Sequence, residues 1–368
     1  MTCARPAARQ WPLDELRRLL DAMPSPMATA NVDQLEDELA SCLGAAHAIA
    51  VSSGTAALHC ALAALRIGSG DEVLVPAVSV VMSAAPVLYV GARPVFVDCD
   101  ETGADLDYDD LSAKLTARTR AIMPVYMWGR AADPDRFLGF ASSHGLHVVE
   151  DACQAHGTTV EGKALGTFGD AGCFSLKDGK ILWSGEGGFI LTSSDDLADR
   201  CRAFRTHWQA APAGSAPMAE LGHNYRMTEI QAMLARWNLA RFGDLLSLRR
   251  AQTAAVMSAL SGITELQWCP SRDGEDWNGF SPVARLTVAR PRELSQRLAE
   301  VGVPNSVGSF ALVANDQRRV FAGLSPSPCR RAQHFVDTTL AIVLSEHDDE
   351  QRIAEMADIV AREIARWG

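Results

Sequence analysis

The stretch Phe174-Ser175-Leu176-Lys177-Asp178-Gly179-Lys180 runs into Gly185-Glu186-Gly187-Gly188 and puts a hydroxyl and a lysine amine into one glycine-rich turn. An amine held this way can condense with a carbonyl as a Schiff base and afterwards carry a proton. Lys180 is the residue chosen for that role, with Lys177 as the competitor; taken alone, either reads as a solvated surface lysine. Upstream, Asp151 directly follows the apolar run His147-Val148-Val149, so its carboxylate projects from a strand end. An aspartate there also suits a helix N-cap. Gln154 brings an amide within reach of the same place, although the Asp-x-x-Gln spacing equally fits a capping box. In Ser53-Gly54-Thr55-Ala56-Ala57 a strand ends and a helix opens. The free N–H groups and positive dipole end of such a helix favour a dianion, and Gly54 permits close approach of the backbone. Any capped helix start shares that pattern.

As a set these groups match what pyridoxal 5'-phosphate requires: a lysine, a carboxylate against the pyridine nitrogen, an anion site and packing on the ring faces. Lys180 supplies the first and Asp151 the second, with Gln154 as a ring contact. Gly54, Thr55 and Ala56 supply the phosphate site, with Ser175 adding its hydroxyl. The nine cysteines are scattered and never form a Cys-x-x-Cys pair, so no metal site and no disulfide framework is expected.

These groups need strand ends to hold them. Short apolar segments at 48–51, 73–75, 94–97, 121–125, 147–149 and 189–191 alternate with helical stretches, which predicts an α/β core with a mostly parallel sheet covered on both faces. Ligands in such sheets bind beyond the carboxyl ends of the strands, where all three motifs fall. Residues 73–92 carry no charge over a length near that of a membrane span, but Pro76 and Pro86 interrupt them, and a buried strand followed by a buried helix is the expectation. Residues 16–40 read as helical at both ends around the break Met23-Pro24-Ser25-Pro26. A helix from Thr228 sets Ile230, Met233, Leu234 and Trp237 on one face. A large cofactor-binding domain over 1–245, with an N-terminal arm over about 1–35, and a small C-terminal α+β domain over 246–368 are expected. The small domain holds a strand near 283–288, a helix at 291–301 and a last helix striped by Ile353, Met356, Val360, Ile364 and Trp367.

The chain has 368 residues, 48% hydrophobic and 21% charged, with a formal net charge of −11. That balance suits a globular enzyme and leaves no basic footprint for nucleic acid. Arg5 and Arg9 precede no apolar stretch, so no secretory signal is read, and a reducing cytoplasm without membrane attachment is expected.

The three motifs, together with Leu221-Gly222-His223-Asn224-Tyr225-Arg226-Met227-Thr228-Glu229-Ile230-Gln231-Ala232, resemble the DegT/DnrJ/EryC1/StrS family of fold-type I, pyridoxal-phosphate-dependent aminotransferases over about residues 35–245. The resemblance implies that Lys180 is the Schiff-base lysine and proton shuttle, Asp151 the pyridine partner and Gln154 a ring contact. It implies that Gly54, Thr55 and Ser175 bind phosphate and that Asn224 comes from the neighbouring subunit, giving a homodimer with shared sites. Three departures stand out. Val80 takes the ring-facing position usually aromatic, Tyr126 replaces a frequent histidine, and after Gly302-Val303-Pro304 the usual signatures give way to Asn305-Ser306-Val307-Gly308-Ser309-Phe310.

The implied activity is transfer of an amino group from glutamate or glutamine to the keto group of a cyclitol or sugar-like molecule in secondary metabolism. The stretch from Lys180 to Glu186 points more to the cyclitol branch. Two rivals are elimination or dehydration on the same cofactor, against which the lysine itself speaks, and a non-catalytic regulatory homologue.

Overall fold

The computed structural model describes residues 13–22, 25, 29–103 and 105–367. Arg5 and Arg9, and Met23, Pro24 and Pro26 of the expected break, lie outside the described residues.

A seven-stranded sheet forms the centre. Its strands are β1 (His47–Val51), β2 (Glu72–Pro76), β3 (Arg93–Val97), β4 (Thr119–Ile122), β5 (His147–Asp151), and, after the two-residue strands β6 (Thr159–Val160) and β7 (Lys163–Ala164), β8 (Ala171–Ser175) and β9 (Gly188–Thr192). The order is β1-β9-β8-β5-β4-β2-β3. β8, β5, β4, β2 and β3 pair in parallel, while β9 runs antiparallel to both β8 and β1. The sheet is thus mostly parallel, as expected. β8 is a strand the apolar pattern had not singled out, because Ala171-Gly172-Cys173 is too small to stand out. Pro94 is accommodated in β3 because that strand is an edge.

Side-chain alternation divides the sheet into two cores. Val73, Val75, Val149 and Cys173 face one core, and Leu74, Val148 and Phe174 face the other. The first core takes in α3 (Gly54–Ala64) and α4 (Val81–Tyr89), which follow α1 (Leu13–Ala22) and α2 (Ala30–Leu43) in the chain. α3 is apolar around its whole circumference, as a helix packed on all sides must be. Pro86 lies inside α4 rather than breaking it, its ring buried in the first core's flank. α5 (Tyr108–Lys114) and α6 (Pro134–His144) serve the second core, and α7 (Asp195–Phe204) the first.

α8 (Glu229–Ala240) opens on a capping box between Thr228 and Gln231. Its buried face comprises Ala232, Met233, Ala235 and Asn238, whereas Ile230 is 43% exposed, so the predicted stripe is rotated. Glu229 turns inward instead and accepts the N–H groups of Asn31 and Val32 at the start of α2. α2 is therefore docked on α8 and β1.

α9 (Phe242–Ala259) leads to β10 (Leu266–Trp268), β11 (Glu275–Asp276), β12 (Val283–Leu286), α10 (Pro291–Glu300), α11 (Arg330–Thr338), β13 (Thr339–Ala341) and α12 (Glu350–Trp367). The sheet β10-β12-β13 and α12 enclose a third core containing Leu286, Leu298, Ile353, Met356, Val360 and Ile364. Residues between α10 and α11 leave that core. Leu312, Ala314, Phe321 and Cys329 pack on the first core of the large sheet instead.

Candidate active site

Asp151 ends β5, on the face shared by Val149 and α3, and is 4% exposed. Its Oδ2 accepts the Ser83 hydroxyl at 2.7 Å and its Oδ1 the Cys153 N–H at 3.2 Å. No helix begins after it, since the chain continues as turns through Gly157; a helix cap is therefore not its role. Ser83, one turn into α4, is a partner that sequence reasoning missed, since a serine in an apolar helix carries no signal of what it faces.

Gln154 forms no capping box either. Its Oε1 accepts the Trp128 backbone N–H at 2.6 Å, which fixes the amide and leaves Nε2, a donor, unengaged among the described residues. The loop bearing it is tied down by Asn278, whose Nδ2 reaches the carbonyls of Gln154 and His156.

Ser53 is the N-cap of α3, and its Oγ accepts the Ala56 N–H at 3.0 Å. Ala56 is thereby provided for, and the amides of Gly54 and Thr55 remain, since the first residues of a helix have no acceptor within it. Gly54 is required by close packing: a Cβ there would stand 2.8 Å from both Cys153 Sγ and Ser175 Cβ. The three motifs therefore touch at one point. Ser175 ends β8 with its Oγ accepting the Lys177 N–H at 3.3 Å.

Lys180 lies in the loop 176–187 joining β8 to β9. Gly179, Gly185 and Gly187 adopt positive φ there, and Leu176 and Asp178 donate their N–H groups to Gly187 and Gly185. Its amine lies 5.3 Å from the ring centroid of Phe280. Burial lowers its pKa below the usual 10.5, opposed by Cys153 and Asp151 and aided by Lys177. Lys177 itself is exposed, whereas Lys180 is half-buried with its amine withdrawn from solvent, which weighs for Lys180. Burial and the Asp151 charge push the Cys153 thiol well up, so it is a neutral packing group. Nearby His156 is fully buried, and burial, then Lys180, lowers its pKa to about 3. Neither of its ring nitrogens has a partner among the described residues.

Glu150, adjacent to Asp151, faces the opposite core. It accepts the Tyr126 hydroxyl and the backbone N–H groups of Gly166, Phe168 and Gly169. Burial pushes its pKa up and these donors work against that. Tyr126 thus serves the scaffold. Val80 caps α4 without a side-chain bond, and its carbonyl accepts from Asn315 Nδ2 at 3.2 Å. Asn224 stands apart from the cluster: it is exposed, while its neighbour Tyr225 accepts the Ser52 N–H at 2.8 Å just before Gly54.

The donor set fits pyridoxal 5'-phosphate: free helix amides and a serine hydroxyl for a dianion, a buried carboxylate for a ring N–H, an amide donor for a phenolic oxygen, and a buried amine. Comparison with known proteins agrees. The DegT/DnrJ/EryC1/StrS aminotransferase family matches residues 12–360. This chain belongs to that family. It is a pyridoxal-phosphate-dependent aminotransferase of fold type I, and the family match extends through the C-terminal part where the usual signatures are replaced.

Among curated relatives, the chain is 34% identical over 331 residues to a UDP-N-acetyl-3-dehydro-α-D-glucosamine 3-aminotransferase of Acidithiobacillus ferrooxidans, covering 89% of this chain and 87% of that one. It is 39% identical over 288 residues to the L-glutamine:2-deoxy-scyllo-inosose aminotransferase of Streptomyces kanamyceticus, covering 73% and 67%. Among solved structures, DesV of S. venezuelae superimposes with a TM-score of 0.84 at 30% identity, covering 95% of this chain and 93% of that one. No helix among the described residues is long and apolar enough to cross a membrane, and no group of three or more His, Cys, Asp or Glu there could hold a metal ion.

Proposed function

We propose that this aminotransferase moves an amino group from glutamate or glutamine to the ring ketone of a sugar or cyclitol in secondary metabolism. One observation carries the reading: the buried Lys180 amine lies within electrostatic reach of Asp151, beside the open amides at the start of α3. When bound, the cofactor supplies an electron sink for the carbanion left by proton removal. Asp151, held by Ser83 and the Cys153 N–H, would offer its carboxylate to the pyridine N–H. The Lys180 Nζ, its pKa lowered by burial so that more of it is uncharged, would take the proton from one carbon and return it to another. Gly54, Thr55 and Ser175 would bind the phosphate, Gln154 Nε2 would donate to the ring's phenolic oxygen, and Val80 would lie beside the ring. The acceptor class is supported by relatives named for a nucleotide-linked keto sugar and for a cyclitol ketone.

The holoenzyme's absorption spectrum tests this reading. L-glutamate or L-glutamine should bleach the cofactor band, and addition of 2-deoxy-scyllo-inosose or a nucleotide-linked 3-keto sugar should restore it. A spectrum indifferent to both donors would sink the reading.

The exposed Asn224 fits a residue that completes the partner subunit's phosphate site in a two-fold homodimer. Mixed dimers of Lys180→Ala and Asn224→Ala chains, each inactive alone, should then regain part of the activity, since one intact site forms per heterodimer. Absence of recovery in demonstrably mixed dimers counts against sharing.

A further inference from the structure

The unusual residue at position 80 and the unusual segment after Pro304 are one structural feature. Asn315, fully buried, donates from Nδ2 to Ser79 Oγ at 2.7 Å and to the Val80 carbonyl, while its N–H reaches the Ala77 carbonyl at 2.9 Å. Farther along, Phe321 packs on Phe96 with ring centroids 5.1 Å apart, and Arg93 Nε donates to the Leu324 carbonyl at 2.9 Å. The segment is thereby fastened across the ends of β2 and β3, one helical turn from the Ser83 that holds Asp151.

That fastening places Arg318. Its Nε donates to Asn315 Oδ1 at 2.9 Å, so a single amide holds Val80 with one end and the guanidinium with the other. The two terminal nitrogens have no acceptor among the described residues, and no carboxylate there lies within ion-pair distance. By contrast, half-buried Arg205 pairs with Glu36 and half-buried Arg292 with Asp337. Burial alone lowers the pKa of Arg318, with no charge opposing it. A guanidinium partly removed from water without a counter-charge is uncompensated until an anion arrives, and its two free N–H arms match two oxygens of a carboxylate or phosphate.

We propose that Arg318 binds an anionic group of the substrate at the rim of the site beside Val80. The proposal rests on the aminotransferase reading. The shared chemistry is a pair of anionic oxygens, which either the carboxylate of the amino-acid donor or the phosphate of a nucleotide-linked acceptor can present. Val80 itself brings no aromatic side chain to that rim.

The test compares holoenzymes of wild type, Arg318→Gln and Arg318→Met. L-glutamate is titrated by cofactor absorbance, and UDP, as the phosphate probe, by calorimetry. One of the two affinities should fall about 10- to 100-fold, while the maximal rate of the glutamate half-reaction and the melting temperature stay near wild type. Loss confined to L-glutamate identifies the donor carboxylate, and loss confined to UDP the acceptor phosphate. If Arg318→Gln fails to fold, Arg318→Met decides alone. An unchanged L-glutamate affinity, with UDP binding unchanged or absent already in wild type, overturns the proposal. A wild-type protein indifferent to both donors fails earlier and refutes the aminotransferase reading instead.

Discussion

Glu150 and Asp151 are neighbours in one strand, both buried carboxylates, and they do opposite work. Strand alternation turns Glu150 into the second core, where four donors converge on it. Asp151 is turned towards α3 and α4, where the Ser83 hydroxyl and one backbone N–H hold it. A carboxylate offers about four lone-pair sites. Glu150 is therefore saturated and pins the turn 166–169 against the sheet, whereas Asp151 retains acceptor capacity for a ligand. Counting donors on a buried acid separates scaffold from site even where the sequence places the two side by side.

The largest effect expected on this contrast lies on the Asp151 side. Lys180→Ala should abolish turnover with little change in melting temperature, while Lys177→Ala leaves activity nearly intact. Borohydride should fix the cofactor to the Lys180 peptide; labelling of Lys177 instead would reverse the assignment. Because burial depresses the Lys180 pKa, more of its amine is uncharged at a given pH than for a free lysine. The uncharged form is the nucleophile. Uptake of pyridoxal 5'-phosphate by the apo-protein should thus accelerate with rising pH, with a midpoint below the ordinary 10.5.

The two acids themselves come next. Asp151→Asn should slow the proton-transfer step on the order of 10²–10³-fold with the fold preserved. Glu150→Gln should instead destabilise by about 3–5 kcal/mol, because an amide sets N–H donors against the N–H donors that Glu150 accepts. Chemical denaturation and kcat, measured on both variants, check this; equal stability losses would erase the distinction.

The smallest effects concern the hydroxyls that hold each acid. Ser83→Ala should reduce kcat about tenfold through looser aim of Asp151, with stability nearly unchanged. Tyr126→Phe should cost about 1–2 kcal/mol of stability and leave kcat alone. A kcat loss in Tyr126→Phe exceeding that of Ser83→Ala would show that the two faces are not independent.

Much of the site was legible before the fold because it depends on local rules. A lysine among glycines, an aspartate after an apolar strand and a Gly-Thr turn at a helix start announce themselves by residue type and spacing. The unbroken apolar run Val73-Leu74-Val75 likewise pointed to a sheet covered on both faces. Tertiary packing also overrode some local patterns: the alternative cap readings of Asp151 and Gln154, the break at Pro86 and the exposed Ile230 on a stripe expected to be buried. β8 escaped notice because glycine and small side chains carry little apolar signal.

From the sequence alone came the family of chemistry, the strand ends that bear it and the candidate residues Lys180, Asp151, Gly54, Thr55 and Ser175, since each is marked by chemistry and backbone geometry within a few positions. Only the tertiary structure decided which lysine is withdrawn from solvent, which of two acids keeps free lone pairs, which end of the Gln154 amide is open, and that Asn315 reaches across to Val80 while holding Arg318. Those facts join residues as far as 235 positions apart. No local periodicity encodes such contacts, because they exist only once the sheet has brought distant segments to the same edge.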